Sequence, residues 1–236
     1  MKKRIWELDA LRGLFILGVV IVHLVYDMVE LYRLIDWEYP PLFSFVQQWG
    51  GVLFFLISGI SVTLGSRCIR RGLLVIAGGM VVSAVTWGMY YLNFADKGII
   101  IYFGVLHCLG VCMLLWPVFR KLPHWALALA GVVLTAAGFY LRSLDPVSTQ
   151  WLMPLGLPGE GFVSSDYFPI LPYLGFFLLG SALGKSVYKD KKSLLPNVKT
   201  DNFIIRFFLL CGKHSLWIYL LHQPLLSGIL FLIAMI

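Results

Sequence analysis

The 236-residue chain is expected to fold as an all-α, polytopic integral-membrane helix bundle of about seven spans, and three observations lead there. The first is composition: 59% of residues are hydrophobic and 13% charged, too little polar surface to cover a soluble globule of this size. The second is that apolar stretches of ~20 residues, the length needed to cross ~30 Å of hydrocarbon, recur along the whole sequence. The third is that Lys/Arg clusters flank these stretches in alternation, as the positive-inside rule requires of a multi-pass protein. Residues 1–236 read as one transmembrane domain in a lipid bilayer, with no internal repeat and no low-complexity tract.

The spans fall at roughly 10–31, 45–66, 72–93, 98–118, 123–142, 167–185 and 213–235. The first apolar stretch is too long and too charged for a removable signal peptide and lacks a small-residue cleavage site. "FIIRFFLL", residues 203–210, is too short to cross and is expected to lie along the interface. "MKKR", Arg67/Arg70/Arg71, Arg120/Lys121 and the basic run from Lys185 to Lys213 occupy one set of loops, and Glu30/Asp36/Glu38, Asp96 and Asp145/Glu160/Asp166 the other. The N-terminus is therefore expected in the cytoplasm and the C-terminus outside. The longest outer loop, about 143–166, is rich in Pro, Gly and Trp; it reads as a connection or as a lid or substrate platform. The net charge of +7 is accounted for by these topology signals, so no nucleic-acid partner is expected. Cys68, Cys108, Cys112 and Cys211 form no CxxC pattern and read as small apolar residues.

The first span, "LDALRGLFILGVVIVHLVYD", carries Asp9, Arg12, His23 and Asp27. At 100° per residue these and Glu30 fall within about 60° of one another, a single stripe. An ionisable group facing lipid costs at least ~2.5 kcal/mol at the bilayer centre, so the stripe must face protein or a water-filled cavity. Arg12 lies near one interface, and His23 about 16 Å further along with Asp27 one turn beyond. An imidazole with a carboxylate at i+4 suits a general base, because the carboxylate can fix its tautomer and stabilise its protonated form. Two other spans carry comparable groups: His107 in "YFGVLHCLGV", and Ser215, Tyr219 and His222 on one face of "GKHSLWIYLLHQP". Three histidines at mid-depth on three helices point to one convergent site with His23, Asp27, His107 and His222 as its catalytic candidates. His124 and His214 fall at helix ends. With no HxxxH or ExxH spacing, no metal is expected.

The blocks "LDALRGLFILGVVIVHLVYD", "FFLISGISVTL", "FGVLHCLG", "FPILPYLGFFLLGSALG" and "GKHSLWIYLLHQP" resemble, in order, those of the bacterial branch of the heparan-alpha-glucosaminide N-acetyltransferase catalytic-domain family, within a wider group of transmembrane acyltransferases. The resemblance runs from about residue 4 to 230 and includes the Arg–His pair eleven residues apart, here Arg12 and His23. It implies a multi-pass protein of the bacterial plasma membrane that takes acetyl-CoA from the cytoplasm and delivers its acetyl group, by N- or O-transfer, to an amino sugar or polysaccharide outside, with a terminal glucosamine as the first expectation. For assembly it implies a homodimer. The lysosomal relatives carry their active-site His in the first luminal loop, which has no His here, so the role passes to His23 or His107.

Arg12, Arg67, Arg70 and Arg71 would then receive the anionic CoA. Ser215, Tyr219, His107 or His222 would supply donors to the tetrahedral oxyanion. The competing expectation is a small proton-coupled transporter that relays protons through Asp27, His23, His107 and His222, against which stand the missing repeats and broken-helix pair.

Overall fold

The computed structural model describes residues 5–235; the "MKKR" topology signal lies outside them. Among the described residues eight α-helices follow one another: α1 Trp6–Tyr26, α2 Pro41–Leu64, α3 Cys68–Tyr91, α4 Val105–Phe119, α5 His124–Arg142, α6 Ile170–Val187, α7 Phe203–Lys213 and α8 Ser215–Ala234. Six of the described segments are long and apolar enough to span a membrane, the first being α1 with its extension to Leu31, and α4 is a shorter apolar helix of 15 residues. The protein is therefore an all-helical, multi-pass membrane protein. Apolar side chains such as Leu14, Ile21, Met80, Val85, Val132 and Leu232 stay exposed on these helices, as lipid-facing positions should.

The helices group into two compact units, one of residues up to Phe54 with those from Lys191 onward, the other Phe55–Asp190. In the first, α1 packs on α7 and α8. The contact with α7 depends on missing side chains: a Cβ on Gly13 would run into the Phe208 carbonyl, and one on Gly212 into the Asp9 carbonyl. Such close backbone approach is how membrane helices gain dispersion energy when lipid removes the hydrophobic drive. A single residue, His214, breaks the helix between α7 and α8. The exposed Phe203, Ile204, Phe207 and Leu210 give the eleven-residue α7 an apolar face. The chain entering α7 is pinned to α1 by Glu7, which accepts from the Ser193 hydroxyl and the Leu194 amide, both at 2.8 Å.

The second unit holds α3 to α6 and the later part of α2. Here too helices meet at small residues: a Cβ on Gly110 would strike Ile76, and one on Gly180 the Leu56 carbonyl. The fourth span was expected to begin near residue 98, but its helix starts at Val105. Residues 97–104 instead form a 3₁₀ turn and an extended segment that pairs at Phe103 with Tyr167. The 143–166 loop ties down this segment: Ser164 and Ser165 donate to the Ile100 and Ile99 carbonyls, and Phe168 N–H to Phe103 O at 3.0 Å. Beside the loop the Tyr167 hydroxyl donates to Met153 O at 2.6 Å, and burial pushes its phenol up to about 12. The loop is a fastened structure with one prominent exposed ring, Trp151.

Candidate functional site

The polar stripe of α1 meets α8 in two successive rungs. At the first, the rings of His23 and His222 lie edge to face with centroids 5.0 Å apart. At the second, one turn on, Asp27 is almost fully buried and both of its carboxylate oxygens accept from the Gln223 side-chain amide, at 3.0 and 2.8 Å. Ser227 Oγ stands 3.5 Å from the same nitrogen, and the Ser227 carbonyl accepts from the Tyr32 hydroxyl at 2.9 Å. Asp27 also opens a π-helical turn, Asp27–Leu31, in which the Tyr32 amide reaches back five residues to Asp27 O. That wider turn inserts one extra residue where α1 would otherwise wind regularly, a feature that recurs at functional sites.

The protonation pattern of the second rung follows from hydrogen-bond chemistry. A carboxylate only accepts, so Gln223 must turn its NH₂ toward Asp27 and its carbonyl, Oε1, away. In the first rung, His222 Nδ1 lies 2.6 Å from the Tyr219 carbonyl, again a pure acceptor, so Nδ1 carries the proton and Nε2 is left with its lone pair. Both atoms so released, His222 Nε2 and Gln223 Oε1, are buried without a hydrogen-bond partner. Orphaned buried polar atoms are uncommon in folded proteins, and a catalytic role or a bound water or ion is among the things that account for them. Pro224, next in α8, removes the amide that would have bonded the Leu220 carbonyl and loosens the helix at this depth.

The remaining candidates are distributed as follows. In the first unit, Arg12 pairs with Asp9 at 2.7 Å, the Arg being about a quarter exposed. Tyr219 sets its ring 5.5 Å from that of His222, and Ser215 opens α8. Glu30 is exposed. In the second unit, Arg67, Arg70 and Arg71 are exposed around the start of α3. α3 and α4 run antiparallel, as the contacts of Gly72 with Gly110 and of Gly79 with His107 require, so these arginines share an end with Arg120. Lys185 joins them by donating to the Arg120 and Leu122 carbonyls at 2.7 and 2.6 Å.

His107, also in the second unit, is engaged on both nitrogens. Gly104 N–H donates to Nδ1 at 3.3 Å, capping the start of α4. Nε2 stands 3.4 Å from Ser83 Oγ, whose own hydrogen goes to Ile101 O at 2.6 Å, so Nε2 is the protonated nitrogen. The ring lies flat against Gly79, where a Cβ would approach it to 3.0 Å. The Asp166 carboxylate completes the cap by accepting from Val105 N–H at 3.1 Å.

Sequence reasoning brings forward His23, Asp27 and His222 but passes over Gln223, Ser227 and Tyr32. The usable signal is the i, i+4 pair Gln223/Ser227, two polar residues on one stripe of an otherwise apolar span. Among the described residues, no group of three or more His, Cys, Asp or Glu converges as metal ligands would.

Residues 4–224, nearly the whole chain and both rungs as far as Gln223, match the family described as heparan-alpha-glucosaminide N-acetyltransferase, catalytic. No curated protein and no solved structure matches the chain.

Proposed function

Since the chain belongs to the heparan-alpha-glucosaminide N-acetyltransferase catalytic family, a family of acetyltransferases, we propose that it moves an acetyl group from acetyl-CoA to an extracytoplasmic amino sugar or polysaccharide, a terminal glucosamine first among them, at the His23/His222 rungs. The observation that carries this reading is the His222 ring, anchored through Nδ1 with a buried Nε2 lone pair that has no hydrogen-bond partner. A base here takes the proton of the attacking amine or hydroxyl as it adds to the thioester carbon, a contribution of typically 10²–10⁴. The tetrahedral oxyanion then collapses and expels the CoA sulfur, which leaves as the thiol. His23, edge-on to His222, is the partner through which that proton can pass, and Asp27 supplies the nearby negative charge that favours an imidazolium.

Arg12, on the same helix about 16 Å before His23, is proposed to meet a phosphate of CoA with the exposed part of its guanidinium. Arg67, Arg70 and Arg71 are proposed to draw the polyanionic donor through their field. His107, with both nitrogens spent on the α4 cap, is better suited to holding α4 than to moving protons.

The experiment is CoA thiol release by the purified protein given acetyl-CoA, with and without a glucosamine-terminated acceptor, beside a His23→Ala variant. Acceptor-dependent release that the variant loses supports the reading. Intact acetyl-CoA in every condition, with no bound donor, would turn it toward the proton-coupled transporter.

A further inference from the structure

We propose that the start of α1 holds an anionic phospholipid, with an acyl chain seated between α1, α7 and the segment that joins Lys192 to α7, and with its phosphate met by Lys191 and Lys192. A cavity of about 310 Å³ lies there, wholly within the first unit. Ala10, Leu11 and Leu14 line it from α1, Phe208 from α7 and Leu195 from the joining segment. From Trp6 to Leu14 the lining follows α1 for eight residues, about 12 Å of helix, and it ends nine residues, about 13 Å, before His23. Neither Asp9 nor Arg12 belongs to it, so it is separate from the stripe that leads to the rungs.

The lining suits hydrocarbon. Its one charged residue, Glu7, is buried, and its carboxylate already accepts from the Ser193 hydroxyl and the Leu194 amide. Its one side-chain N–H, on Trp6, donates to Leu195 O at 3.3 Å. A sugar or a nucleotide would find no convergent polar groups to fix its orientation, whereas an alkyl chain needs none.

The charge beside the cavity selects the headgroup. Glu7 fixes Ser193 and Leu194 against α1, which places the backbone of Lys192 and Lys191 within about 4 and 8 Å of Ser193. Both lysines are exposed. From Lys191 to Lys213 the chain carries five cations and one carboxylate, Asp201. A basic cluster next to a membrane helix attracts anionic lipid, each Lys or Arg contributing roughly fivefold in partitioning. Trp6 adds an indole beside these charges, and Trp favours the headgroup level of a bilayer. A zwitterionic lipid gains the same apolar burial without the net attraction.

The test is native mass spectrometry of the full-length protein in detergent, offered phosphatidylglycerol or phosphatidylcholine with identical acyl chains. The natural protein should retain phosphatidylglycerol at least fivefold more than phosphatidylcholine. Lys191→Glu combined with Lys192→Glu should bring the two lipids within twofold of each other, while Lys97→Glu combined with Lys121→Glu, at exposed lysines of the other unit, should leave the preference intact. Ala10→Phe and, as a second way of filling the cavity, Leu11→Trp should each lower bound phosphatidylglycerol at least fivefold. Equal retention of the two lipids by the natural protein overturns the proposal and makes the occupant a neutral lipid or detergent. A preference that survives the Lys191/Lys192 reversal, or falls as far in the Lys97/Lys121 control, overturns the headgroup site. Unchanged phosphatidylglycerol in both filled variants overturns the seat of the acyl chain.

Discussion

Replacing His222 by Asn separates the two tasks of this side chain. The Asn amide nitrogen falls near the position of Nδ1 and can keep the bond to Tyr219 O, now 2.6 Å long, while nothing replaces Nε2. The retained bond is worth about 0.5–1.5 kcal/mol of stability, so the thermal midpoint should stay close to that of the natural protein. The lost base is worth 10²–10⁴ in rate, which is ~2.7–5.4 kcal/mol at 1.36 kcal/mol per decade. His222→Ala loses the anchor, the base and the ring contact with His23 together, so it should be as inactive and also less stable. The assay is CoA thiol release under saturating acetyl-CoA, with melting followed in the same detergent. A kcat within fivefold of the natural value in His222→Asn would refute the role of the Nε2 lone pair as the base.

Other expectations follow from the contacts described. Glu7→Ala should free the segment around Ser193 and Leu194, and trypsin should cut at Lys191 and Lys192 faster; an unchanged digestion rate would show that the pin does not hold. Gly13→Leu drives a side chain into the Phe208 carbonyl and should destabilise the α1–α7 contact by at least ~1–3 kcal/mol, read as a lower melting midpoint. His107→Ala should lower stability by ~1 kcal/mol through the lost α4 cap yet leave kcat within tenfold, and a collapse of kcat at unchanged stability would restore it to the chemistry. Replacing Arg67, Arg70 and Arg71 by Glu should raise KM for acetyl-CoA with kcat preserved, most strongly at low salt; a salt-independent KM would remove their field from the account.

The apolar stretches are readable because a run of ~20 hydrophobic residues has almost no place in a water-soluble fold, and the stripe on α1 because burying charge is costly enough to force Asp9, Arg12, His23 and Asp27 onto one face. The start of α4 lies several residues beyond where hydropathy alone puts it. "IIYFG" is as apolar as a helix, and only its pairing with Tyr167 and the serines of the outer loop makes it extended. The partner of Asp27 is equally hidden. Local spacing offers His23 at i−4, but the carboxylate is engaged by Gln223, 196 residues away, which no periodicity reports. His107 looks equivalent to the other two histidines in depth, and its difference lies in Gly104 and Ser83, whose amide and hydroxyl occupy it.

The 196 residues between Asp27 and Gln223 also bear on how the protein is made. At synthesis rates of about 5–20 residues per second, α1 leaves the ribosome some 10–40 s before the helix that solvates its carboxylate exists. Throughout that interval Asp27 and His23 have no partner on α8, and free release into lipid would expose them to hydrocarbon. α1 must therefore wait at the insertion machinery, beside water or another polar helix, until the last span arrives. A chain cut before Gln223 would leave its first helix stranded, and quality-control proteases that survey the bilayer for unpaired polar groups would meet Asp27 first.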